Sequence, residues 1–195
     1  MRIALRGRTG ITLVLLTSLG ILLAAASSVQ AGYAEREDEL IARLNSPHGF
    51  EVAHALVVLE KDYPQSTKAF PVIKQLLRDP RRDVHCKAAR VLGKLHADVN
   101  QDDITAICAL LKSKDTKEVQ DGLIALRGLK APSAVPEVLL VLKSDDTHNI
   151  RDACWTLAVL AGKDVIPSIE PLLQHPDPAV QKDASIAIFK LREKS

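Results

Sequence analysis

The stretch DPRRDVHCKAARVLGKL, Asp79 to Leu95, carries the pattern that decides the fold. From Val84 its apolar positions fall at offsets 0, 4, 7 and 11, as Val84, Ala88, Val91 and Leu95. At 100° per residue they share one face, which predicts an amphipathic helix burying that stripe. Asp79-Pro80 stands at its head, where a carboxylate accepts from unpaired backbone amides and a proline is preset for the first turn. The layout returns three times. Asp115-Thr116 precedes Val119, Leu123, Leu126 and, one residue early, Leu129; Asp146-Thr147 precedes Ile150, Cys154, Leu157 and Ala161. Asp177-Pro178 precedes Val180, Ala184, Ala187 and Leu191.

Ahead of each stands a shorter apolar segment ending in a doubled aliphatic pair. The pairs are Leu76-Leu77, Leu110-Leu111, Val141-Leu142 and Leu172-Leu173, spaced by 34, 31 and 31 residues. Pro71, Thr105, Pro136 and Pro167 step by the same intervals. Beside them Phe70, Ile104, Val135 and Ile166, and then Ile73, Ile107, Val138 and Ile169, complete one apolar face. Proline breaks a helix interior but costs no hydrogen bond in the first turn, so these prolines mark where the first helices begin. A weaker unit precedes, with Leu40, Ile41 and Leu44 in one helix and Val52, Leu56 and Leu59 in the next. A period of this length marks stacked supersecondary units. The expectation is an all-α solenoid of about five helical hairpins, with polar ends at Glu35 to Glu39 and Arg192 to Lys194.

The second-helix stretch Val84 to Leu95, with Val, small residues and then Leu92-Gly93-Lys94-Leu95, resembles the HEAT repeats. It is most similar to their short bacterial, phycobilisome-lyase-like form. The resemblance covers residues 35–195 and implies an armadillo-type fold, a right-handed superhelix whose second helices line a concave face. One departure stands out. The Arg usual just after the Val appears only as Arg151 and is replaced by His85, Gln120 and Gln181, which argues against a ladder of Asp–Arg pairs between repeats.

Residues 1–31 read as a secretory signal peptide. Arg2, Arg6 and Arg8 form a basic n-region, Ile11 to Ala26 an apolar core, and Val29-Gln30-Ala31 a cleavage site, leaving a repeat domain over 32–195. Sixteen apolar residues fall short of the roughly 20 that span a bilayer. No Cys follows the cleavage point and no Arg pair precedes the core, so neither a lipid anchor nor twin-arginine export is expected. A periplasmic or secreted location follows, without membrane insertion. The whole chain has 26 basic and 24 acidic residues; without the signal the balance is 23 to 24. A near-neutral domain has no electrostatic footprint for nucleic acid.

Catalytic motifs are absent: there is no His-Glu-x-x-His, no Gly-x-Ser-x-Gly and no phosphate-binding loop. The His-Glu dipeptides of HEAT-class di-iron hydroxylases are absent too, and bilin lyases act on cytosolic proteins, against an export signal. No catalytic residue, no cofactor and no enzyme activity are therefore expected. The six His, at 48, 54, 85, 96, 148 and 175, never fall three or four apart, so no metal ligands are expected. The three Cys allow at most one internal bridge. Cys154 falls in the core stripe, Cys86 at outward offset 2, and Cys108 on a helix flank.

What remains is a surface. Outward offsets 2 and 6 of the second helices hold His54, Arg90, Asp121, Asp152 and Lys182, with Trp155 at their edge, either wedged between repeats or exposed as an anchor. These six residues are the candidate protein-binding face. The expected function is an exported, monomeric scaffold or adaptor that binds another protein. The alternative is a lyase-like or accessory maturation factor handling a cofactor-bearing protein.

Overall fold

The computed structural model describes residues 36–194, in a chain that divides into two units, Met1–Leu40 and Ile41–Ser195. Residues 36–40, the described part of the first unit, are helical, with Glu37 and Leu40 buried. The signal segment at 1–31, the cleavage point before Gly32 and the polar end at Glu35 lie outside the described residues. No described helix is long and apolar enough to cross a membrane.

In the second unit the regular elements are all helical. After a helical stretch over 41–43 come α1 (Gly49–Asp62), α2 (Phe70–Leu76), α3 (Arg82–Lys94), α4 (Gln101–Leu110) and α5 (Thr116–Leu129). Then follow α6 (Val135–Val141), α7 (Thr147–Leu160), α8 (Ile166–Ile169) and α9 (Pro178–Arg192). The longer second helices stack in chain order, α1 on α3, α3 on α5, α5 on α7 and α7 on α9. Each of α2, α4 and α6 lies against the second helix of its own hairpin.

The offset stripe forms the core. Val84, Ala88, Val91, Leu123, Leu126, Cys154, Leu157, Val180, Ala184 and Leu191 are fully buried, together with Ile73, Ile107 and Ile169 from the first helices. Leu95 and Leu129 are only half-buried because the helices end there. Both ends turn through a left-handed residue, His96 at φ 49° and Lys130 at φ 51°. In each case the next amide, of Ala97 or Ala131, donates back to the carbonyl of Leu92 or Leu126. This six-to-one bond closes a Schellman cap, which glycine usually serves.

Three of the four Asp heads cap as expected. Asp115, Asp146 and Asp177 accept from the amides of Lys117 and Glu118, His148 and Asn149, and Ala179. Asp79 does not cap α3, which starts after Arg81. Instead Asp79 chelates the Arg81 guanidinium at 2.8 and 2.6 Å, and this bond holds its carboxyl below the usual range. Arg81 in turn donates to the carbonyls of Ser46 and Pro47, tying the first turn to the second.

The prolines mark the first turns of α2, α6 and α8. Thr105 replaces proline in α4, so that helix begins a turn earlier, at Gln101, under a capping box of Asn100 and Asp103. The last first helix departs from expectation. α8 covers only Ile166–Ile169 and tightens into a 3₁₀ turn over Glu170–Gln174. Pro171, four residues after Pro167, has no N–H to continue the α ladder. Its aliphatic pair is accordingly not core: Leu172 is half-buried and Leu173 exposed.

Candidate functional site: a groove along the second helices

Stacking places residues about one period apart side by side, and that rule builds the site. Arg82 pairs with Asp115 and Glu118 at 2.5 Å, Arg90 with Asp121 at 3.7 Å, Arg151 with Asp183 at 2.7 Å, and Lys94 with Glu60. The Asp121 and Asp183 carboxylates are buried. Acid–Arg pairs thus do link successive repeats, against the sequence expectation: Arg151 makes one from the position after the apolar offset-0 residue, and Arg82 and Arg90 make others from elsewhere on their helix. Thr116 donates to Asp146, which keeps that carboxyl acidic, and His96 Nδ1 meets the Gly128 carbonyl at 2.7 Å.

The α3–α5 crossing is the tightest. A Cβ on Gly93 would lie 2.6 Å from Ala125 Cα, and one on Gly128 would lie 2.2 Å from the Gly93 carbonyl oxygen. Here the two backbones touch, and the Leu-Gly-x-Leu sequence exists for that contact.

Above this crossing α1, α3 and α5 bound a groove of about 530 Å³. Phe50 and Val57 from α1 line one wall, 75% and 45% exposed. Arg82, Lys87, Arg90 and Lys94 of α3 and Lys117, Glu118 and Asp121 of α5 line the rest, with Glu60 and Asp83. Both signs are present.

Of the six candidate residues only Arg90 and Asp121 meet in this groove. His54 and Lys182 are exposed, and Asp152 is half-buried beside the charges of Arg127 and Arg151, with burial raising its carboxyl pKa. Trp155 is neither fully wedged nor free: it is half-buried, with the Lys190 ammonium 4.4 Å above its ring. In α7 the outer stripe is His148, Arg151, Asp152, Trp155 and Val159.

The outward reading of offsets 2 and 6 is corrected. Asp121 and Cys86 are buried, and Ala125 and Thr156 wholly so. A middle second helix has a neighbour on each side as well as its own first helix, so only a narrow stripe stays open. Cys108, expected on a flank, is buried too. All three thiols are free, and burial pushes Cys86 and Cys108 up to about 11 and Cys154 to about 12. Sequence reasoning missed Phe50 and Val57, whose signal is an apolar residue standing off its own helix's core stripe. It also missed a cluster across α3 and α5, where donor atoms of His85, Cys86 and Glu118 lie within 4.8 Å of one another. Spacing within one helix does not reveal it, because the set is completed only by a residue from the next repeat.

No protein-family model matches the sequence, and neither does any curated protein. Solved structures do match its fold. A complex of CpcE and CpcF of phycocyanin lyase from Nostoc sp. PCC7120 has a TM-score of 0.68 at 23% identity, over 81% of this chain and 65% of that one. A designed armadillo repeat protein in complex with the peptide (KR)4 has a TM-score of 0.65 at 16% identity, over 78% of this chain and 80% of that one. YibA of E. coli has a TM-score of 0.54 at 16% identity, over 81% and 59%. The chain spans about two thirds or less of the lyase and YibA chains it matches.

One expectation is overturned here. The absence of motifs predicts no enzyme, yet a phycocyanin lyase complex shares the fold. The physical reason is the stacking rule itself: a site assembled from several repeats leaves no contiguous motif, so a missing motif excludes nothing. The α-solenoid of HEAT-like and armadillo repeats read from the sequence is the fold of this chain.

Proposed function

We propose that this is an exported α-solenoid that works as a scaffold or adaptor, holding a segment of another protein in the groove along α1, α3 and α5. The observation that carries this is Phe50 with Val57, two exposed apolar side chains two turns apart on α1 that open onto one concavity. Single exposed apolar residues are ordinary, but a pair on a groove wall offers an anchor pocket. Arg90, on the same groove, is of a residue type enriched among binding hot spots. The test is recovery of the protein with its partner from the exported fraction. A stoichiometric partner held by the wild type and lost in Phe50→Asp, with melting unchanged, supports the reading; equal retention by both overturns it.

Export rests on the basic n-region, the apolar segment Ile11 to Ala26 and Val29-Gln30-Ala31. The mature protein then starts at Gly32 in the periplasm or outside the cell. Sequencing the N-terminus of exported material decides this, and an intact Met1 in a membrane fraction would refute it.

A lyase-like or maturation role toward a cofactor-bearing protein is the second reading, favoured by the fold likeness to the CpcE–CpcF complex. A chromophore on the co-purified partner would select it.

A further inference from the structure

We propose that His85, Cys86 and Glu118 bind a zinc-type divalent cation that clasps α3 to α5. The three side chains offer one nitrogen, one sulfur and one oxygen donor, all within 4.8 Å of one another. Imidazole, thiolate and carboxylate together are the donor set of zinc or cobalt rather than of magnesium or calcium, which take oxygen alone. Bond lengths of about 2.0–2.3 Å put two ligands of one tetrahedral ion roughly 3.4–3.7 Å apart. The Glu118 side chain, with three rotatable bonds, can close the remaining gap.

His85 is already oriented for the task. Its Nδ1 lies 2.9 Å from the Asp79 backbone carbonyl, which can only accept, so Nδ1 carries the proton and Nε2 keeps its lone pair. A ligating histidine almost always donates its other ring N–H in this way. Charge at the site also favours a cation. Glu118, Asp121 and Asp83 act on the Cys86 sulfur from the acidic side, against Arg82. Arg82 bonds Glu118 through Oε1 and Asp115 through Oδ1, both at 2.5 Å. It keeps Asp115 when Glu118 turns to the ion, and a carboxylate can also bridge guanidinium and metal with its two oxygens. Cys86 and Glu118 line the groove and His85 with Glu118 lines the hollow beside α4, so the set sits between two open spaces and three protein ligands leave one tetrahedral position for solvent. Three protein ligands with one open position is the arrangement of reactive rather than purely structural zinc sites. The inference rests on the donor set alone and stands whether or not the groove takes a protein.

The experiment is titration of the reduced, purified protein with Co²⁺ followed by absorbance, then displacement by Zn²⁺. One Co²⁺ per chain with a thiolate-to-cobalt charge-transfer band is expected. Cys86→Ser should abolish the band, and His85→Ala and Glu118→Gln should each weaken binding by at least about 10–100-fold, the loss seen even for outer-shell partners. Cys154→Ala and His54→Ala should change nothing. Because Cys86 is buried, each variant's melting curve is recorded; Zn²⁺ should raise the wild-type midpoint and raise that of Glu118→Gln clearly less. Absence of the charge-transfer band in the wild type, its survival in Cys86→Ser, or its loss in Cys108→Ser instead would each overturn the site.

Discussion

Lys130 occupies a left-handed position that a lysine holds at a cost. An L residue there loses roughly 1–2 kcal/mol, while glycine elsewhere forfeits about 0.5–1 kcal/mol of chain entropy. The first effect wins, so Lys130→Gly should stabilise the protein by about 0.5–1 kcal/mol in urea melts. His96 stands in the same conformation, but its ring bonds the Gly128 carbonyl, so the same exchange there should gain less. Neither position was readable in the sequence, because no glycine advertises the turn. Asp152 gives the pH counterpart. Burial raises its folded pKa, with Arg127 and Arg151 opposing, so above its unfolded value of about 3.9 the native state holds the proton longer. Its contribution therefore falls as pH rises through the window between the unfolded and folded values. Asp152→Asn should match wild type near pH 3 and gain stability relative to it by pH 7. A difference that shrinks with rising pH would reverse the assignment.

The element scale is where sequence and structure part company most instructively. The second helices could be read to within a residue or two, because their stripe at offsets 0, 4 and 7 depends only on the helix's own first partner. Offsets 2 and 6 depend on helices one repeat away, and Asp121, Cys86, Ala125 and Thr156 sank into those interfaces. Likewise Pro171 outweighed the aliphatic pattern of Leu172-Leu173, since a missing N–H is decisive where a propensity is not. The glycine crossing of α3 and α5 yields a sharp test. Gly128→Ala would gain about 1 kcal/mol of helix propensity. It would also drive a methyl into backbone 2.2 Å away, and overpacking of this kind costs about 1–3 kcal/mol. No side chain can swing aside to relieve it, so the cost falls toward the upper end and a net loss of up to about 2 kcal/mol is expected in denaturant melts. Gly49→Ala is the control, because its new methyl meets only Arg81 and Val84 side-chain carbons at 3.5 and 3.8 Å, and it should lose nothing.

For the molecule as a whole, the repeat period revealed which residues form the core but not which surface is used. Core truncation should track position. Leu126→Ala, fully buried in a middle repeat, should cost roughly 2–5 kcal/mol, whereas Leu173→Ala in the last repeat should cost about 0.5 kcal/mol. Equal losses in parallel urea melts would argue against the assigned core. The groove was illegible for a related reason: Phe50, Arg90 and Asp121 come from three different repeats, and sequence gives their neighbourhood only after the stacking is known. One consequence of that stacking concerns time. Arg81 reaches Pro47 across 34 residues, Thr116 reaches Asp146 across 30, Arg151 reaches Asp183 across 32 and Lys194 reaches Ala161 across 33. None of these bonds asks distant parts of the chain to find one another, so the loop-closure entropy that slows sheet proteins is never met in full. Stopped-flow refolding should finish on the order of milliseconds or faster, the regime of helical domains with local contacts. Lengthening the array by further repeats should leave that rate nearly unchanged, since the search each hairpin performs ends at its neighbour.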